Sequence, residues 1–134
     1  MAEAVAITGV GLWKPPHVIT NEELVGAYNA YAQLYNAEHA AAIADGELEA
    51  KPYSSAEFIE KASGIQQRYA YIKDGILEPE RMRPRIPQRE DDALSHQAEI
   101  ALNAARPALA DAGRSAADVD MVIVSCAYTQ RSYP

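Results

Sequence analysis

Three observations in this chain predict a layered α/β domain. Two short apolar runs, AVAITGV at 4–10 and VDMVIVSCA at 119–127, have the β-branched, near-continuous character of strands buried on both faces. Between them lie segments with helix-start signatures and helically spaced apolar residues. The order strand, helix, helix, strand, helix, strand is that of helices layered on a sheet.

The first run is closed by Gly9, Gly11 and Pro15-Pro16, which end a strand and start a loop. Thr20-x-x-Glu23 is a capping box, because the threonine hydroxyl can accept from the amide of Glu23 while that carboxylate reaches back. A helix therefore starts at Asn21. Leu24, Tyr28, Tyr31 and Tyr35 fall on one face of it, the Ala-rich run 37–44 carries it onward, and Asp45-Gly46 is its stop. Ser54-x-x-Glu57 repeats the box, and Gly64 suits the left-handed residue that ends a short helix. Tyrosine- and isoleucine-rich 65–72 reads as a strand.

From Lys73 to Arg89 the prolines at 79, 84 and 87 and the lack of an apolar period predict a long loop. Asp91-Asp92 suits a helix N-terminus, and Leu94, Ala98, Ala101, Ala105, Ala108 and Ala112 keep helical spacing to Gly113. Pro107 lies inside that pattern, so a kink is expected near Asn103, whose carbonyl loses its donor. After a short turn, the run 119–127 is the last strand.

The 134 residues, 49% hydrophobic and 23% charged, suffice for one modest core. A net charge of -7 argues against a nucleic-acid partner, which calls for a basic face. No apolar run approaches a membrane span and residues 2–13 do not read as a signal peptide, so the expected location is the cytoplasm, with no membrane partner. The single cysteine, Cys126, excludes an internal disulfide or a cysteine-based zinc cluster within these residues.

Candidate sites are few. Gly9-Val10-Gly11 after a strand suggests a dinucleotide fingerprint, but Lys14 stands where the third glycine belongs and Pro15-Pro16 block an immediate helix. A plain strand-to-loop turn is the better reading. Cys126 lies within an apolar run, which favours packing over nucleophilic chemistry. His17, His39 and His96 lack the spacing that holds a metal from one helix, and no metal site is expected. The tyrosine stripe suits a core or interface face, with an acyl cavity as the alternative. Arg81, Arg83, Arg85 and Arg89 form a run free of acids in an otherwise acidic chain. Such a run can meet coenzyme A phosphates or the acidic face of a carrier protein; a solvated loop or ion pairs across a subunit contact are the alternatives.

Taken in order, the opening AVAITGVGLWKPP, the helix start Thr20-Asn21-Glu22-Glu23-Leu24, Phe58-Ile59 with Gly64-Ile65-x-x-Arg68, the Ala-rich helix ending Asp111-Ala112-Gly113, and DVDMVIV at 118–124 before Tyr133-Pro134 resemble one family. It is the β-ketoacyl-acyl-carrier-protein synthases of type III, in the thiolase superfamily. The resemblance implies that residues 1–134 are the N-terminal part of the first half-domain of a thiolase-like layered fold. Stretches near 26–53 and 73–89 are longer than in the short members, so the chain looks like a long-form subgroup acting on medium-chain acyl groups.

The resemblance further implies a decarboxylating Claisen condensation of an acyl thioester, with medium-chain acyl-CoA as the expected substrate, with malonyl-acyl carrier protein, in a cytoplasmic homodimer of fatty acid biosynthesis. Coenzyme A enters as a thioester substrate, and no resident cofactor is implied. Phe58 falls at an aromatic position that helps hold the adenine end of coenzyme A, with Ala62 where the short members carry an arginine. Tyr133 occupies the loop position that reaches the partner's acyl pocket. Arg81, Arg83 and Arg85 are the candidate contacts to carrier or coenzyme A phosphate. The catalytic Cys, His and Asn match nothing within the 134 residues, so the chain alone is expected to be inactive and to expose unpaired strand edges. A non-catalytic half-protein serving as an interaction subunit, and acyl transfer without condensation, are the other readings.

Overall fold

The computed structural model describes residues 5–126. The chain divides into two compact units, one of residues 15–87 and one of residues 1–14 with 88–134.

The unit of residues 15–87 is built on the first capping box. Strand β1 (His17–Thr20) runs directly into helix α1 (Asn21–Glu38), which is followed by the short helix α2 (Ala40–Ala44). Thr20 Oγ1 accepts from the Glu23 amide at 3.2 Å while Glu23 Oε2 accepts from the Thr20 amide at 2.9 Å, so two orphan donors are satisfied reciprocally. The other Glu23 oxygen takes Lys73 Nζ at 2.6 Å, and the same ammonium donates to the Val18 carbonyl at 2.8 Å. Lys73, and secondarily the Thr20 amide, hold the Glu23 carboxyl below the usual carboxylate range.

Helix α3 (Ala56–Ser63) ends on Gly64 at φ 70°, the expected left-handed stop. Strand β2 (Gln67–Ala70) then pairs antiparallel with β1, Ile19 opposite Arg68 and Thr20 opposite Gln67. β1 is an element the composition did not announce. Its four residues sit within a polar stretch, and only Ile19, 3% exposed, is driven inward.

Asn21 joins the two ends of this pairing. Its amide donates to the Gln66 carbonyl at 3.3 Å, its carboxamide nitrogen donates to the Ile65 carbonyl at 2.7 Å, and its carboxamide oxygen accepts from Arg68 at 2.9 Å. The residue is 3% exposed and every one of these polar atoms is engaged, as a buried amide requires.

Two further asparagines bind the chain between α2 and α3. Asn29 exchanges two hydrogen bonds with the backbone of Ser54 (2.9 and 3.0 Å), and Asn36 does the same with Lys51 (2.8 and 3.0 Å). Seven helical residues advance about 10.5 Å, while three residues advance at most about 10–11 Å when fully extended. The stretch 51–54 therefore runs nearly straight along α1, antiparallel to it. This displaces the second cap by one residue from its expected place. Ser54 is held by Asn29, and Ser55 Oγ is the group that accepts from the Phe58 amide, at 3.0 Å.

In the other unit, helix α4 (His96–Asp111) starts later than the acids at 91–92 suggest. A hydroxyl cap decides the start: Ser95 Oγ accepts from the Ala98 amide at 3.1 Å, and Asp91-Asp92 lie in the preceding turn. The helix runs unbroken through Pro107, so the expected kink near Asn103 does not interrupt it. Ser115 and Asp118 cap a single 3₁₀ turn beyond Gly113.

The two apolar runs read as buried strands are not strands among the described residues. Val5 is 99% exposed, Ile7 89% and Ile123 86%. A strand exists only through a ladder to a neighbour, and the composition that marks a need for burial supplies none. Cys126, expected to be packed away, is exposed for the same reason, with its sulfur 2.9 Å from Gln97 Nε2. The described architecture is thus mixed helix and strand, with one two-stranded sheet.

Residues 9–11 nevertheless have a fixed role. A Cβ on Gly9 would lie 2.6 Å from the Ala112 nitrogen, and one on Gly11 would lie 2.9 Å from the Ala108 Cβ. The two glycines thus rest on the alanine face of α4, and the Val10 amide between them donates to Asp111 Oδ2 at 2.9 Å. Close approach to a helix, rather than to a pyrophosphate, is what these glycines serve.

Candidate functional site

A cleft of about 760 Å³ opens in the unit of residues 15–87, within the range of small-molecule pockets. Leu24, Val25 and Tyr28 of α1 form one wall, and Phe58 and Ile59 of α3 another. Pro52 to Ser55 and Met82 complete it. Sequence spacing explains the first wall, since 24, 25 and 28 share a helical face. The second wall follows from the Ser55 cap, which starts α3 so that Phe58 and Ile59 fall on its first full turn.

Part of the polar lining is engaged within the unit. The Ser54 backbone is taken by Asn29, and the Ser55 hydroxyl is taken by the α3 amide. Of the cleft's side chains, the Ser54 hydroxyl and the phenols of Tyr28 and Tyr53 carry further hydrogen-bonding capacity. Phe58, the residue proposed from the sequence for substrate contact, is 65% exposed on the cleft wall, and Tyr53 is 63% exposed.

Met82 enters from the arginine-bearing loop, and its backbone is unusual. At φ 48° it is the non-glycine residue in the left-handed region among the described residues. A turn closed by the Met82 amide on the Glu78 carbonyl, at 2.8 Å, sets that conformation. Arg85 locks the turn: its guanidinium forks onto both oxygens of Glu78 and also donates to Asp74 Oδ1 at 3.1 Å, while its amide donates to the Asp74 carbonyl at 2.9 Å. The fork holds the Glu78 carboxyl below its usual range. Gly75, at φ 80°, is required beneath this loop, because a side chain there would strike the Arg83 carbonyl at 2.7 Å.

The candidate arginines therefore separate. Arg85 is engaged within its own loop, and Arg89 pairs with Glu99 and with the Leu94 carbonyl. Arg81 donates through Nε to the Arg83 carbonyl at 3.1 Å, and the Arg83 side chain is exposed. Arg81 and Arg83 flank Met82 in the chain. Tyr133 lies outside the described residues.

The tyrosine stripe also divides. Tyr28 faces the cleft, while Tyr31 and Tyr35 continue as a ladder of tilted rings with centroids 6.4 and 6.2 Å apart, ending in His39 stacked on Tyr35 at 4.2 Å. Lys51 Nζ lies 4.3 Å from the Tyr35 ring centroid and 5.4 Å from that of Tyr31.

Sequence reasoning missed Asn29, Asn36 and Met82. The two asparagines had a signal, being polar residues seven apart on one face of a helix interior. Met82 had none, since its place depends on the clasp between residues 74, 78 and 85. Among the described residues no group of His, Cys, Asp and Glu is arranged to hold a metal ion, and no helix is long and apolar enough to cross a membrane.

No family model matches the chain. Over 108 residues, 81% of its length, it is 55% identical to a protein of Pseudomonas aeruginosa named beta-ketodecanoyl-[acyl-carrier-protein] synthase. It is also 30% identical over 125 residues to bisdemethoxycurcumin synthase of Oryza sativa subsp. japonica. The aligned parts make up 31% and 28% of those two proteins, so the chain spans about a third of the relatives it matches.

Proposed function

We propose that this chain is part of a β-ketoacyl-acyl-carrier-protein synthase of type III with a thiolase-like layered fold, and that the complete protein is a cytoplasmic homodimeric acyltransferase of fatty acid biosynthesis. The observation that carries the reading is the 55% identity over 81% of the chain. The resemblance read from the ordered segments of the sequence points the same way.

In this reading a cysteine thiolate outside these residues takes the acyl group from an acyl-CoA and releases coenzyme A. Malonyl-acyl carrier protein then loses carbon dioxide, and the resulting carbanion attacks the acyl-enzyme carbonyl. The thiolate leaves and a β-ketoacyl carrier is formed. A His and an Asn stabilise the enolate, as the resemblance implies. Condensation adds two carbons, so a relative named for a ketodecanoyl product supports a medium-chain primer.

The present residues supply wall rather than chemistry. Phe58 contributes an aromatic face for the thioester substrate, Tyr133 reaches the partner subunit's acyl pocket, and Arg81 and Arg83 offer charge to coenzyme A or carrier phosphate. Arg85 has a different task in this scheme, holding the loop through Glu78. The test is expression of the complete reading frame containing these residues, incubated with octanoyl-CoA and malonyl-acyl carrier protein. Release of carbon dioxide with formation of a ten-carbon β-ketoacyl carrier is expected, with no turnover by the 134-residue chain alone. Acyl transfer to the carrier without carbon dioxide release would replace the condensation reading with simple acyl exchange.

A further inference from the structure

We infer that residues 74–85 form a self-contained clip that swings as one body over the cleft between α1 and α3, with Met82 as its latch. The two ends of the clip are tied to each other, because Arg85 donates from its side chain to Asp74 Oδ1 at 3.1 Å and from its amide to the Asp74 carbonyl at 2.9 Å. Its interior is tied as well. The Arg85 fork reaches Glu78, the Arg81 and Met82 amides donate to the Glu78 carbonyl at 3.0 and 2.8 Å, and Arg81 Nε donates to the Arg83 carbonyl at 3.1 Å. Gly75 is buried beneath that last carbonyl, so the two limbs lie in contact.

Among the described residues no hydrogen bond or ion pair joins 74–85 to α1, α3 or the sheet. The bond that crosses its border, from the Ile76 amide to the Lys73 carbonyl at 3.1 Å, goes to the adjoining residue. Lys73 is in turn anchored on Glu23 and the Val18 carbonyl. At the other end Ile86 is 59% exposed and makes no hydrogen bond among the described residues. A compact loop with joined ends and its own internal bonds can turn on a few flanking residues while keeping those bonds, and Lys73 and Ile86 stand where such hinges belong. What holds the clip down is apolar contact, carried by the half-buried Ile76, Leu77 and Met82. Met82 shares the cleft lining with Val25 and Tyr28 of α1 and with Phe58 and Ile59 of α3, and its backbone at φ 48° is set by the clip's own bonds. Its withdrawal opens that side of the cleft to water. The inference concerns access to the cleft, so a complete enzyme that fails to condense would leave it intact.

The test is a distance measurement by pulsed electron paramagnetic resonance on the 134-residue chain. Cys126→Ser removes the native thiol, and spin labels are placed at Arg83→Cys on the clip and Lys61→Cys on α3, both exposed positions. A narrow short distance is expected to dominate. Met82→Ala should raise the ratio of a longer, equally narrow distance to the short one about tenfold, the scale set by most of a methionine side chain leaving apolar contact. Arg85→Met should broaden the distribution instead, since the clip then loses its internal ties. A single distance that Met82→Ala does not move would overturn the inference. So would broadening by Met82→Ala as great as that by Arg85→Met. A second measurement separates unlatching from loss of the fold: in Met82→Ala the Glu78 carboxyl should still titrate below its ordinary value of 4.5, because the fork is kept. Its return to 4.5 would mean that the cleft contact holds the clip together, and the clip would not be a body of its own.

Discussion

The two units differ in where their partners come from. In residues 15–87 every main connection is made by a neighbour within the unit: the Thr20–Glu23 box, the Asn21 knot, the Asn29 and Asn36 clamps, and the Arg85 clasp. In the described residues of the other unit one helix carries a glycine-bearing segment, and large apolar side chains from 5–12 and 119–124 face outward. Polar side chains thus organise the first unit by directed bonds. In the second, Gly9 and Gly11 rest against the alanine face of α4, with directed bonds from Val10 to Asp111 and at the Ser95 and Ser115 caps.

The sharpest way to break the contrast is to remove the bond on which the first unit converges. Asn21→Ala leaves the Ile65 carbonyl and the Arg68 guanidinium without their side-chain partner, at a position that is itself 3% exposed. A loss of about 3 kcal/mol is expected, the scale for an unsatisfied buried group beside a charge. Amide hydrogen exchange should show protection falling at β1 and β2 while α4 keeps its own. Equal loss in both units would mean that the division is not energetic.

The corresponding test in the second unit is Gly11→Val. The added side chain would push against the α4 backbone at Ala104 and Ala108, at a cost of about 2 kcal/mol as in other overpacked contacts. The same exchange measurement should now show α4 losing protection and β1–β2 unchanged. Here the effect comes from shape alone, because no hydrogen bond is removed from Gly11.

How much was legible in the sequence follows the same line. The Thr20–Glu23 box, the αL stop at Gly64 and the loop at 73–89 were readable because each is decided by residues a few positions apart. The cleft was half readable: the α1 face and Phe58 were visible, but Met82 required a clasp of three residues spread over twelve positions, 74 to 85. The strands expected at 4–10 and 119–127 failed because apolar composition states a need for burial and names no partner to meet it. Both runs lie in the unit whose large apolar side chains face outward.

A smaller effect separates two adjacent serines. Ser55→Ala should cost about 1 kcal/mol, because it removes the hydroxyl that caps α3. Ser54→Ala should change stability little, since Asn29 binds its backbone and the hydroxyl takes no part in that clamp. Thermal unfolding of the two variants decides between them. A reversed order would return the cap to the residue the sequence pattern favours and would take Phe58 out of its present register.

The smallest effect is electrostatic, and its sign is set by the clasp. The Arg85 fork lowers the Glu78 carboxyl below its ordinary value of 4.5, just as Lys73 lowers Glu23. A carboxylate depressed in the folded state contributes stability that is fully present above the unfolded value and is lost as pH falls through the folded one. Both pairs are open to solvent, so the contribution is modest and screened by salt. The informative quantity is the titration itself. Arg85→Met should return the Glu78 midpoint, followed by carboxyl carbon shifts, towards 4.5 while leaving Glu23 depressed. If instead Glu78 stayed low without the guanidinium, the turn at residues 78–82 would hold its shape unaided, and Met82 would owe its left-handed backbone to the loop rather than to the clasp.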